Sequence, residues 1–286
     1  MIIASGKTPT IVMRNLKLLL AYDGTEFSGW QVQPGAATIQ GTLASALGRV
    51  TGESVLPQGS GRTDAGVHAL GQVATFVLHS PIPPANLVTA LNDVLPASIR
   101  ALEAAEVPAE FHARRSALAK TYRYTMFRGP ICPPFRARYV WHYHFPLDEA
   151  AMQQVASCIV GEHDFTSFAA VDPERAGASQ GKEDGVSGVS NVRKVLCSSW
   201  ERQAEELIYT VRGSGFLHHM VRNLVGTFLL VGKGAVKPSE LPQILEARSR
   251  SAAGATAPAR GLCLVNVEYQ PLIWPCECVA RAPSPA

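Results

Sequence analysis

Between Asn15 and Val107 the hydrophobic period switches from two to 3.6 and back, twice over, and this order limits what the chain can fold into. Asn15 to Tyr22 alternates around Leu16, Leu18 and Leu20, which predicts a strand closed by an Asp23-Gly24 turn. Thr38 can cap a helix whose apolar face is Ile39, Leu43, Leu47 and Val50. Val55 to Ser60 and Gly71 to His79 read as two strands around a loop. Pro84 to Leu95 is a second helix with Leu87, Leu91 and Val94 on one face, and Ile99 to Val107 is a further strand. Strand–helix–strand–strand–helix–strand is the split βαβ pattern of ferredoxin-like units.

The rest of the 286 residues repeats this pattern coarsely. Lys120 to Phe127 is a strand, and Asp148 can cap a helix with Met152, Val155 and Ile159 inward. Val192 to Ser199 and Glu206 to Arg212 are strands. Phe216 to Val231 is a helix, with Phe216, Met220, Leu224 and Val231 on one face. Ser239 can cap a short helix, and Leu262 to Tyr269 closes as a strand. The expected class is α/β (α+β), with two ferredoxin- or RRM-like halves whose mainly antiparallel sheets face a shared active-site cleft. Residues 1–14 form an N-terminal arm, 15–116 and 117–270 the two halves, and 271–286 a tail. The Gly-, Ser- and charge-rich stretch 171–190 is a flexible insertion in the second half.

Several function classes are disfavoured early. The six cysteines are scattered without a CxxC pair, which suits reduced thiols in a cytoplasmic protein. Met1 to Arg14 lacks a long apolar h-region, and no uncharged apolar run reaches membrane-spanning length. There is no HExxH, no P-loop and no dinucleotide fingerprint. His218 and His219 are adjacent, and on a helix they point about 100° apart, a poor arrangement for gripping one metal. No metal or cofactor is therefore expected, and the chemistry is one that amino acids perform alone.

The segment that can carry chemistry is the loop Gly61-Arg62-Thr63-Asp64-Ala65-Gly66-Val67-His68-Ala69. A carboxylate on a glycine-bracketed loop beside a cation is a candidate nucleophile or acid/base group. By itself the pair reads first as a solvated Arg–Asp turn. Its surroundings shift the balance. The formal net charge is only +3, yet Phe111 to Leu147 holds seven cations, nine aromatics and no Asp or Glu. Leu207 to Ser239 is also acid-free and carries Arg212, Arg222, Lys233 and Lys237. Cations neutralise phosphates and aromatic faces stack unpaired bases, so the mixture points to RNA with unpaired loops.

At this point the ordered motifs are similar to those of a known family. YDGTEFSGWQ (Tyr22 to Gln31), GRTDAGVHA (Gly61 to Ala69), LNDVLP (Leu91 to Pro96), FHAR (Phe111 to Arg114) and KTYRY (Lys120 to Tyr124) come first. GEHDFTSF (Gly161 to Phe168), GFLHHMVRN (Gly215 to Asn223) and GLCLV (Gly261 to Val265) follow. From Leu16 to Tyr269 the chain resembles the TruA-type tRNA pseudouridine synthases. The resemblance implies a cofactor-free isomerase, active as a homodimer, that converts uridine to pseudouridine at positions 38 to 40 of the tRNA anticodon stem-loop. It implies that Asp64 is the catalytic aspartate and Arg212 its basic partner. It further implies that Tyr122 stacks on the target base, that Arg62 helps extrude it, and that Leu264 lines the pocket. Arg114, Lys120, Arg123 and Arg222 are the candidate tRNA contacts.

The chemistry fits these residue types. Isomerisation breaks the N1–C1′ bond, turns the uracil and rejoins it through C5, so nothing is oxidised and no group is donated. A carboxylate can attack the sugar carbon, take a sugar proton, or add to the uracil ring. The base must first leave its stack, at a cost of a few kcal/mol, and stacking on Tyr122 returns about 1–3 kcal/mol of it. Two other readings compete. One is a non-catalytic RNA-binding protein of two RRM-like halves, and the other is a carboxylate-based nucleoside hydrolase.

Overall fold

The computed structural model describes residues 13–170 and 190–270. The expected tail, nearly all of the N-terminal arm and all but the last residue of the 171–190 insertion lie outside the described residues. The first unit follows the periodicities. Strand β1 (Arg14–Tyr22) leads to helix α1 (Ile39–Thr51) and the short strand β2 (Gln58–Gly59). Strand β3 (His68–Leu78), helix α2 (Pro84–Val94) and strand β4 (Ile99–Val107) complete it. Thr38 caps α1 as its residue type predicts, its hydroxyl accepting from Gly41 N at 3.3 Å. Leu16, Leu18 and Leu20 are fully buried beside Leu43, Leu47, Leu87 and Leu91 in one continuous core.

The second unit runs through β5 (Ala119–Phe127), β6 (Trp141–His142), helix α3 (Glu149–Cys158) and β7 (Gly161–Asp164). It continues through β8 (Val192–Gln203), β9 (Glu206–Gly213), helices α4 (Met220–Gly232) and α5 (Leu241–Glu246), and β10 (Leu262–Glu268). Asp148 caps α3 by accepting from Ala151 N at 2.9 Å. Two helix starts differ from expectation. Pro238 to Glu240 is a single 3-10 turn, in which Glu240 Oε2 accepts from Lys237 N at 2.6 Å. Pro238 is preset for the first position of that turn, and helix α5 beyond it starts without a side-chain cap from Ser239. Helix α4 starts at Met220 rather than Phe216, because His219 sits in the left-handed region at φ 59°.

The class is the expected α+β with a mostly antiparallel sheet, but the two sets of strands join in one ten-stranded sheet. Its order is β4-β1-β3-β10-β5-β9-β8-β7, with β2 on β3 and β6 on β5. The last strand is the seam: β10 pairs parallel with β3 and antiparallel with β5. Leu264 thereby faces Ala69 on one side and Tyr122 on the other. A strand from the C-terminal end of the described chain thus brings the end of the Asp64 loop beside Tyr122. Among the described residues no helix is long and apolar enough to cross a membrane.

Candidate active site

The Asp64 loop leaves β2 and returns into β3, and a buried polar network holds it from below. Lys120 Nζ donates to Ser60 O at 2.6 Å, and Ser60 Oγ donates to Gln72 Oε1 at 2.7 Å. Gln72 Nε2 donates to Gly61 O at 3.0 Å and to the Tyr22 hydroxyl at 3.3 Å. That hydroxyl meets Thr63 Oγ1 at 2.9 Å. Ser60, Gln72, Thr63 and Tyr22 are all buried, so each bond forms where an unmade one is costly. On the far side Trp30 N donates to Thr63 O at 3.0 Å, and Gly66, at φ +77°, supplies the left-handed turn back into the strand. His68 also orders the loop, as its position suggests: Nδ1 accepts from Gly24 N at 3.1 Å and Nε2–H donates to Arg138 O at 3.0 Å.

The carboxylate is met from above by α4. Arg222 Nη1 donates to Asp64 Oδ2 at 2.7 Å, with both side chains mostly buried. The arginine is itself aimed: its Nε donates to Ala257 O at 2.8 Å, and Ala257 N bonds back to Arg222 O at 3.1 Å. That crossing strap lies tight against the helix at Gly226, where a Cβ would fall 1.7 Å from Ala255 O. The next residue, Asn223, is fully buried and accepts from Thr256 Oγ1 at 2.7 Å and from Arg250 Nη2 at 3.1 Å. Its Nδ2 donates to Phe168 O at 2.7 Å.

Two imidazoles complete the rim. His218 Nε2 lies 3.7 Å from Asp64 Oδ1, and His219 Nε2 lies 3.4 Å from Oδ2. Donor atoms of these three residues lie within 4.8 Å of one another, a set a divalent metal can use. Arg222, however, already places a positive charge on that carboxylate. The pocket wall is Tyr122 on β5, packed edge-on against Phe216 at 5.0 Å between ring centroids, together with fully buried Leu264. Burial pushes the Tyr122 hydroxyl well above its ordinary pKa, and the nearby Tyr22 and Asp64 add to the shift.

A profile of the tRNA pseudouridine synthase family matches residues 19–114 and 155–270, on both sides of this site. The chain belongs to that family. A tRNA pseudouridine synthase A of Solibacter usitatus is 52% identical over 258 residues, covering 90% of this chain and 100% of the relative. The Moorella thermoacetica protein of the same name is 48% identical, over 89% of this chain and 99% of its own length. That of Brevibacillus brevis is 49% identical, over 90% and 100%. These relatives favour a pseudouridine synthase over an RNA-binding protein without chemistry.

Within this pseudouridine synthase framework the expected site residues sort unevenly. Asp64, Tyr122 and Leu264 come together as expected. Arg212 does not join them. It makes a two-pronged pair with Glu268, Nε to Oε1 and Nη2 to Oε2, each at 2.6 Å. The reason is strand parity: Val211 lies opposite Tyr122 in the ladder, so Arg212, paired with Thr121, projects from the other face. The cation on Asp64 is Arg222, a candidate tRNA contact by its sequence, and not Arg212.

Lys120 is not a surface cation either. It shares the Tyr122 face of β5, is 9% exposed, and burial lowers its pKa to about 8, with Arg114 adding to the effect. Arg123 is exposed, but on the face opposite Tyr122. Arg62 and Arg114 are exposed. Much of the remaining basic segment is spent internally, with Arg128 on Glu149, Arg136 on Glu206, and Arg138 on Asp23 and Glu26. Gln72, Tyr22 and the His218–His219 pair were not recognised from sequence as site residues. Gln72 stands at a buried position of a period-two run, and a polar residue there is the signal that could have found it.

Proposed function

We propose that this protein isomerises uridine to pseudouridine in tRNA, at positions 38 to 40 of the anticodon stem-loop, with Asp64 as the reacting carboxylate. The single observation that carries the reading is the Asp64 carboxylate, held at 2.7 Å by Arg222 above a wall of Tyr122 and Leu264. The guanidinium fixes the direction of the carboxylate through a charge-assisted hydrogen bond. An ionised, aimed carboxylate can act on the ribose of a nucleotide swung out of its stack. Tyr122 presents a ring as a stacking surface for that base, and Leu264 excludes water beside it.

Arg62 stands exposed two residues from Asp64, and in this reading it fills the space the base vacates. Arg114 and Arg115 extend the positive surface along the adjoining chain, where phosphates bind without regard to sequence. The relatives' names speak of tRNA, and the exposed cations near the loop suit a folded RNA arm. The protein acts in the cytoplasm as a homodimer in this reading, and the two halves 15–116 and 117–270 meet at the site. The test is tritium release from tRNA carrying 5-tritiated uridine, with position mapping in the product. Release from the anticodon arm is expected. Wild-type protein that frees no tritium from any tRNA overturns the reading, and free uracil instead identifies a hydrolase.

A further inference from the structure

His219 is held in a backbone conformation that is uncommon for residues other than glycine. Its backbone sits at φ 59° and ψ 2°, the left-handed region, where a Cβ is unfavourable. It stands at the N-terminus of α4, yet its side chain makes no capping hydrogen bond there. The ring turns instead into the cleft, 3.4 Å from Asp64 Oδ2 and tilted against the His218 ring at 4.0 Å between centroids. Strain retained beside a reacting carboxylate is an observation from which a function can be argued.

A role for His219 here rests on the pseudouridine synthase reading. Joining C5 of uracil to C1′ leaves C5 tetrahedral and still carrying its hydrogen, so a base must remove that proton. The Asp64 carboxylate is engaged with Arg222 and is required at the ribose. Arg222 is a cation. Burial holds the Tyr122 hydroxyl in its protonated form, which makes it a weaker base than a neutral imidazole. The imidazoles remain. Burial lowers the His219 pKa, and the charges of His218, Arg222 and Arg250 lower it further against the opposing pull of Asp64. The ring is therefore neutral at neutral pH and able to accept.

We propose that His219 is the base that takes the proton from C5 of the rearranged uracil. The C5–H electron pair becomes the C5=C6 bond, and the C6=N1 π pair takes up a proton from water at N1. The hydroxide so formed receives the imidazolium proton, and His219 returns to its neutral form. No oxidant, reductant or cofactor enters the balance. A neutral imidazole on a positioned backbone suits this transfer near pH 7.

The decisive variant is His219→Asn, since asparagine tolerates the left-handed backbone but cannot serve as the base. Single-turnover conversion of tRNA bearing 5-deuterated or 5-protiated uridine is measured, with tRNA affinity and thermal melting alongside. The expected result is a fall in rate of about 10²-fold or more with affinity retained. The 5-deuterium isotope effect grows relative to wild type, and the acid limb of the wild-type pH–rate profile disappears. A rate within a few fold of wild type overturns the proposal, as does a slow variant whose isotope effect and pH profile are unchanged. If His219→Asn does not fold, the wild type decides. Its isotope effect must grow as pH falls through the histidine range, and a flat value overturns the proposal. A wild type that makes no pseudouridine at all defeats the underlying reading instead.

Discussion

Two arginine–carboxylate pairs lie on opposite faces of the same sheet, and their difference separates chemistry from support. Arg212 and Glu268 meet on the reverse face through two contacts of 2.6 Å, with side chains 41% and 30% exposed. Arg222 and Asp64 meet on the cleft face through one contact of 2.7 Å, with side chains 14% and 17% exposed. The first pair is geometrically the more complete, since each oxygen of Glu268 receives its own N–H. The second leaves Asp64 Oδ1 facing His218 and the cleft. A carboxylate with both oxygens engaged by one arginine is a strut, whereas one held by a single prong retains an oxygen with which to react. In the proposed reading, completeness of pairing marks the structural member and incompleteness the working one.

The comparison breaks most sharply at Asp64. Asp64→Asn keeps the size of the side chain and removes the charge, so pseudouridine formation is expected to vanish while tRNA affinity stays within a few fold. Tritium release and filter binding on the same preparation check both halves of that statement. Next comes Arg222→Met, expected to lower kcat by at least about 10²-fold, because it strips a mostly buried carboxylate of its charge partner. Arg222→Lys is expected to fall between, since lysine keeps the charge but not the fork that spans Ala257 and Asp64. Equal activity of Arg222→Met and wild type in steady-state assays would falsify the assignment of the working pair.

A smaller effect is expected beneath the loop. Lys120→Met leaves the Ser60 carbonyl without its charged donor, at a cost of about 1.5–3 kcal/mol of stability. The loop that carries Asp64 loosens with it, so kcat falls while KM for tRNA stays near wild type. Urea unfolding with parallel kinetics reads both. A rise in KM at constant kcat would return Lys120 to the RNA-contacting surface.

How much of this was legible in the sequence depends on whether neighbours in space are fixed by local period. β1, α1, α2 and β4 are set by spacings of two and 3.6 within single runs, and they fold nearly where the pattern puts them. The partner of Asp64 is not local, and two arginines in acid-free sequence competed for it. Parity could have decided, because Tyr209 and Val211 alternate as apolar residues and turn Arg212 outward between strands. The same reasoning places Lys120 on the inward face with Tyr122, Tyr124 and Met126. The joining of both halves through β10 could not be read, since a parallel pairing of Leu264 with Ala69 spans most of the chain. The histidine pair was misjudged for a physical reason: helical spacing was applied to His219, which lies one residue before the helix and takes a left-handed backbone.

The mildest test concerns the strut itself. Hydrogen bonding by Arg212, outweighing burial, holds the Glu268 pKa below its ordinary value. The folded state therefore binds this proton less readily than the unfolded one. The stabilisation is complete above the ordinary glutamate pKa, about 4.3, and is lost as pH falls through the lowered one. Both side chains are partly exposed, so solvent screening limits the pair to about 0.2–1 kcal/mol. Arg212→Met is expected to lose that amount at neutral pH, to lose progressively less relative to wild type below pH of about 4, and to keep kcat within a few fold. Melting temperatures measured from neutral to acid pH show the two curves converging. If instead Arg212→Met abolishes turnover while melting like wild type, the reverse face takes part in catalysis, and the division between strut and working pair fails.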